Sequence, residues 1–155
     1  MSALLGIHVA VAAGAADCVP NSDICITCTT SEKPVLMTAH LRPGLFIAAV
    51  GADNPHKQEL DPTILAAGTL VCDSTRQCAD FGELRHAIAA GVMTAERVHA
   101  ELSQIIAGQR PGRTTRQEIT IYDSTGTATQ DVAAAIVAYE QARNRGLGTA
   151  IQLMR

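Results

Sequence analysis

Leu45-Phe46-Ile47-Ala48-Ala49-Val50-Gly51-Ala52-Asp53 is the stretch on which the fold turns. From Phe46 to Val50 every position is apolar, and the run ends in a glycine and then a carboxylate. A strand without alternation has to be covered on both faces, as in a parallel sheet flanked by helices. Ile24-Cys25-Ile26 repeats the pattern. Working outward, strands are expected over residues 7–12, 23–27, 45–50, 69–72 and 118–122, with helical patterns and turn residues between them. Over 94–108, Val98, Leu102, Ile105 and Ile106 share one helical face, with Thr94 at the cap and Gly108 past the end. Thr127-Ala128-Thr129-Gln130 is a capping box, and Val132, Ala135, Ile136, Tyr139 and Ala142 then form an expected buried stripe before Gly146. Weaker helices are expected over 61–67 and 74–90. The pattern reads as α/β, a doubly wound, mostly parallel sheet with helices on both faces.

Composition agrees and narrows the function. The 155 residues suit one domain, and a 47% hydrophobic share with only 3% aromatics and no Trp means a core of Ala, Val, Ile and Leu. That disfavours a base-stacking platform. Twelve Lys and Arg against fifteen Asp and Glu leave a net charge of −3, without the basic footprint that nucleic-acid binding needs. No apolar run reaches the ~20 residues of a membrane span. The Met1 segment also lacks a basic leader, so neither nucleic acid nor membrane is an expected partner and a cytoplasmic protein is expected.

Five cysteines, Cys18, Cys25, Cys28, Cys72 and Cys78, form an odd and sparse set, read as reduced thiols. Cys25 and Cys28 have C-x-x-C spacing, but on a strand side chains three apart point to opposite faces and cannot share a metal. His8, His40, His56, His86 and His99 have no zinc-like spacing, so no metal site is expected. Arg110, Arg113 and Arg116 read as a solvated loop, with an anion contact as the alternative.

The loop Val50-Gly51-Ala52-Asp53-Asn54-Pro55-His56-Lys57-Gln58-Glu59-Leu60 follows a strand, and ligands of open α/β sheets bind outside the carboxyl ends of the strands. Asp53 reads either as a plain turn residue or as an acid or base tuned by its neighbours. Tyr122-Asp123-Ser124-Thr125-Gly126-Thr127 runs from a strand into a capped helix and favours a polar group nearby. No G-x-G-x-x-G occurs, and Gly146-Leu147-Gly148 follows a helix and cannot serve as a phosphate-binding turn.

In order, Asp23 to Thr30 with Lys33-Pro34-Val35-Leu36, Leu41-Arg42-Pro43-Gly44, Val50-Gly51-Ala52-Asp53 with Lys57 and Glu59-Leu60, Val71-Cys72-Asp73-Ser74, Gly82-Glu83-Leu84, Ile105-Ile106-Ala107-Gly108, Ser124-Thr125-Gly126 and Gln130 to Ala135 resemble the ornithine cyclodeaminase and mu-crystallin family. The resemblance spans nearly all of this chain and only the latter part of the family's length. It implies a single truncated Rossmann-like domain over 1–155, with 118–155 as the C-terminal segment and the first βαβ, which carries the glycine-rich turn, missing. The implied chemistry is hydride exchange at Cα of an amino or imino acid with NAD or NADP. Asp53 matches the catalytic aspartate. Thr29, Thr30, Ala49, Val50 and Lys57 match cofactor contacts, and Thr125 matches a position near the substrate. Without the phosphate-binding turn the chain alone is expected to bind the dinucleotide weakly and not to turn over. Its expected partners are a second copy, in a homo-oligomer, or a polypeptide supplying the first half. The alternative reading is an oligomerising interaction module.

Overall fold

The computed structural model describes residues 1–149 and 151, in two compact units, Met1–Thr125 and a second beginning at Gly126. The first unit carries strands β1 (Ile24–Thr27), β2 (Glu32–Leu36), β3 (Phe46–Ala49), β4 (Gln58–Leu60), β5 (Thr69–Cys72), β6 (Ala100–Glu101) and β7 (Thr120–Asp123). β1-β3-β7-β5-β6 form one sheet in that order, and β2 pairs with β4 in a smaller one. Every pairing is parallel, so the α/β class read from the apolar runs holds, as does the Rossmann-like fold that the resemblance implies. Short helices α1 (Ser2–Leu5) and α2 (Ala15–Cys18) precede the sheet. α3 (Pro62–Ala67), α4 (Thr75–Phe81), α5 (Glu83–Ala89) and α6 (Leu102–Ile106) lie between its strands. The second unit holds α7 (Ala128–Asn144). No helix among the described residues is long and apolar enough to cross a membrane.

The core is aliphatic, as the lack of aromatics required. Ile47, Ala49, Leu70 and Ile121 from the sheet meet Leu36, Leu60, Ile64, Leu65, Leu84 and Ala87. Removing such side chains from water contributes about 1.5–3 kcal/mol each.

Several expectations fail, each for a physical reason. Residues 7–12 form no strand, and Val11 is 97% exposed; an apolar segment becomes a strand only where an edge offers hydrogen bonds. The helix expected over 94–108 is interrupted. Thr94 introduces only a 3₁₀ turn at Ala95–Arg97, then Ala100–Glu101 extends to pair with β5, and a short α6 follows. Sheet pairing, with the His99 N–H donating to the Leu70 carbonyl at 2.9 Å, overrides the helical period there. The helix over 74–90 splits at Gly82, whose backbone is extended, into α4 and α5, and the Asp123 carboxylate accepts the first N–H groups of α5 there, close enough that a Cβ on Gly82 would lie 2.7 Å from it. Ile24 and Ile26 are 61% and 67% exposed, so the β1 run is covered on one face only. In α7 the helix forms as read, yet Val132, Ile136 and Tyr139 are exposed rather than a buried stripe. Periodicity identifies an apolar face without saying what covers it.

Candidate functional site

Because the strands of the main sheet are parallel, their carboxyl ends share one edge. The Val50 N–H donates to the Thr27 carbonyl at 2.9 Å and the Ser124 N–H to the Ala49 carbonyl at 3.0 Å. These bonds align the exits of β1, β3 and β7. The structure therefore brings together Thr29 and Thr30 after β1, Ala49 to Asp53 at the end of β3, and Thr125 after β7. Thr29, Thr30, Val50 and Asp53 are exposed, Thr125 is half-buried and Ala49 is buried.

Asp53 projects from the rim with its side chain 56% exposed, and Lys57 Nζ lies 2.8 Å from its Oδ1. The Asn54 side-chain amide donates to the same oxygen at 3.1 Å. The hydrogen bond from Lys57 is the main cause holding the Asp53 carboxyl below its ordinary range. Neighbouring charge, not burial, tunes this residue. The loop is anchored from beneath: the Arg85 guanidinium donates to the Pro55 carbonyl at 2.9 Å, and His86 Nε2 lies 2.8 Å from the Lys57 carbonyl. The Thr125 N–H donates to Asp73 Oδ2 at 2.9 Å, as does the Ser124 hydroxyl at 3.1 Å.

Beneath the rim lie carboxylates to which sequence reasoning gave no role. Glu59 is fully buried and accepts from the Thr29 N–H at 2.5 Å and the Gly51 N–H at 3.0 Å. Glu83, equally buried, accepts from the N–H groups of Glu59 and Leu60 at 2.6 and 3.1 Å. Asp123 accepts from Glu83 and Leu84 at 3.2 and 2.9 Å. Burial pushes Glu83 up to about 8 and Asp123 up to about 7, against the opposing pull of these backbone donors. The available signal was a carboxylate set among apolar residues and opposite a glycine: a Cβ on Gly51 would sit 2.5 Å from Glu59.

Cys25 lies in β1 and Cys28 just beyond it, the first half-buried and the second exposed, and all five cysteines are free. Arg113 is not simply solvated. Its guanidinium donates to the Gly44 carbonyl and the Thr120 hydroxyl, both at 2.8 Å, clamping β3 to β7. Cys72, Cys78 and Asp123 lie close enough to hold a cation. However, the Cys78 thiol donates to Asp73 and to the Asp123 carbonyl, and the Asp123 carboxylate already takes two N–H groups.

Residues 1–146 match the profile of the ornithine cyclodeaminase/mu-crystallin family. The chain belongs to that family. A relative, the alanine dehydrogenase of Archaeoglobus fulgidus, is 44% identical over 133 residues, covering 86% of this chain and 41% of the relative. The structure of an archaeal alanine dehydrogenase dimer with bound NAD superposes with a TM-score of 0.87 at 39% identity, over 99% of this chain and 47% of that one. The Thermococcus litoralis Δ1-pyrroline-2-carboxylate reductase, solved with NADH and L-proline, gives 0.91 at 34% identity, over 97% and 47%. The chain thus spans less than half the length of these relatives.

The residues fit one end of a nicotinamide dinucleotide. The strand-end rim offers backbone groups and small side chains, and the buried Thr27 hydroxyl at the end of β1 has no hydrogen-bond partner. The family resemblance is what assigns Thr29, Thr30, Ala49 and Val50 to the nicotinamide end. No turn within the 155 residues has the glycine pattern that holds the pyrophosphate.

Proposed function

We propose that this chain provides the substrate-facing rim of an NAD(P)-dependent enzyme that exchanges a hydride at Cα of a small amino or imino acid. The observation that carries this reading is exposed Asp53 paired with half-buried Lys57 at the carboxyl end of a parallel strand, flanked by the exits of β1 and β7. The relatives' alanine dehydrogenase and pyrroline-carboxylate reductase activities support the substrate class.

The bound nicotinamide supplies the hydride chemistry, and the chain's residues position and stabilise. Asp53, kept ionised by Lys57, opposes the positive charge that develops on the iminium nitrogen as Cα is oxidised. The family resemblance also gives Lys57 a contact with the cofactor. The Thr125 hydroxyl, oriented by Asp73, offers the substrate a hydrogen-bonding partner. The phosphate-binding turn is contributed from outside these 155 residues, so the chain alone binds dinucleotide weakly and is not catalytic by itself.

Two measurements test this. The chain joined to the amino-terminal part of the archaeal alanine dehydrogenase should form NADH or NADPH when given an L-amino acid, and no turnover with any small amino or imino acid would contradict the reading. Isothermal titration of the chain alone should show no micromolar binding of NAD or NADP, and such binding would contradict the outside origin of the phosphate grip.

A second reading, an oligomerising module, is favoured by the unpaired edge of β1 and by exposed Ile24 and Ile26. Light scattering should show self-association, and a monomer at all concentrations would exclude it.

A further inference from the structure

The loops bearing the proposed cofactor and substrate contacts are separate in sequence, yet one side chain holds both. Glu59 Oε1 accepts the N–H of Thr29, at the exit of β1, and Oε2 accepts the N–H of Gly51, two residues before Asp53. We propose that Glu59 is a positioning residue that sets the spacing between the cofactor-bordering Thr29-Thr30 turn and the Asp53 loop; this rests on the functional reading above.

Three features distinguish this from incidental packing. Glu59 is fully buried and its bond to the Gly51 N–H is buried with it, so losing the carboxylate leaves that donor without a replacement partner. Gly51 is a position where only hydrogen fits, since a Cβ would lie 2.5 Å from the Glu59 carboxyl carbon. The Glu59 backbone is itself fixed: its N–H and that of Leu60 are held by the two oxygens of Glu83, and the N–H groups of Glu83 and Leu84 by the two oxygens of Asp123 at the end of β7. Each carboxylate in this series spans two backbone donors, so the exits of β1, β3 and β7 are tied by bidentate links. A rim built this way positions reacting groups without side-chain rearrangement, which is how small displacements come to matter for rate.

The test begins on the unaltered chain. Through-hydrogen-bond NMR couplings from the Thr29 and Gly51 nitrogens to Glu59 Cδ are expected, and their absence would overturn the proposal. In Glu59→Gln one carboxylate oxygen becomes an amide donor. Exchange of the Thr29 or Gly51 amide should then rise at least about tenfold, with Ile47 and Ile121 unchanged. In the turnover assay of the joined protein, kcat should fall by up to about 100-fold while the amino-acid KM holds. If Glu59→Gln does not fold, Gly51→Ala, which displaces the same carboxylate, should show the same kcat loss. Selective amide exposure with unchanged kcat would make Glu59 merely structural and overturn the proposal. Failure of the functional reading is distinguishable, because there Asp53→Asn would leave turnover intact whatever the amide exchange shows.

Discussion

Asp53 and Glu59 are carboxylates on the same short segment, and the fold treats them in opposite ways. Asp53 stands at the rim, open to solvent on one side and paired with Lys57 on the other, with its pKa drawn down. Glu59 is sealed beneath it with both oxygens occupied by backbone N–H groups. The first is free to meet a ligand, and the second is shut away from one by burial. A carboxylate's work in this region follows from how many donors the backbone has already aimed at it, not from its identity or its distance from the strand end.

If that contrast is right, substitutions on the two sides should fail differently. The largest expected effect is on rate: Asp53→Asn in the joined protein should lower kcat about 100-fold or more, with its melting temperature near that of the parent. A rate within a few-fold of the parent would remove Asp53 from its role. On the interior side the effect should be on stability. Asp123→Ala strands the buried N–H groups of Glu83 and Leu84 and should cost about 3 kcal/mol in urea unfolding. Gly82→Ala, whose Cβ would press on the same carboxylate, should cost about 1–3 kcal/mol.

A pH series sharpens the comparison further. Glu83 and Asp123 hold protons in the folded chain up to about pH 8 and 7, whereas unfolding restores their ordinary values of 4.5 and 3.8. Between those limits the folded state binds more protons, so stability should fall as pH rises. At lower pH the order reverses. Glu118 is held down to about 2 by the Thr69 hydroxyl and the Thr114 N–H, and Asp53 is also lowered. Stability there should fall with further acidification. Melting temperature should therefore peak near the ordinary carboxylate values and decline toward pH 8; a steady rise from pH 5 to pH 8 would contradict the buried pair. The smallest effect should come from the exposed apolar positions of α7. Val132→Ser and Ile136→Ser should each shift stability by no more than about 0.5 kcal/mol.

Much of this was legible in the sequence. The unbroken apolar run from Phe46 to Val50 implied a parallel sheet, and the Gly51-Ala52-Asp53 exit marked the rim. The segment at 7–12 misled because composition cannot show whether a partner edge exists, and 94–108 because local helical spacing lost to the β5–β6 pairing. The carboxylate series was invisible for a similar reason. Glu59, Glu83 and Asp123 are far apart in sequence, and each acts on the backbone of the next, leaving no motif of side chains to read. Gly51 and Gly82 were the one-dimensional trace of it, the places where the backbone had to stay bare for a carboxylate to come close.

The most direct measurement of the central claim is the carboxyl ¹³C signal of Asp53, followed through pH in the joined protein with and without NADH and L-proline. An ionised, rim-facing Asp53 predicts a midpoint below the ordinary aspartate value of 3.8, displaced when the ligands are added. A midpoint at the ordinary value that does not respond to ligand would contradict it.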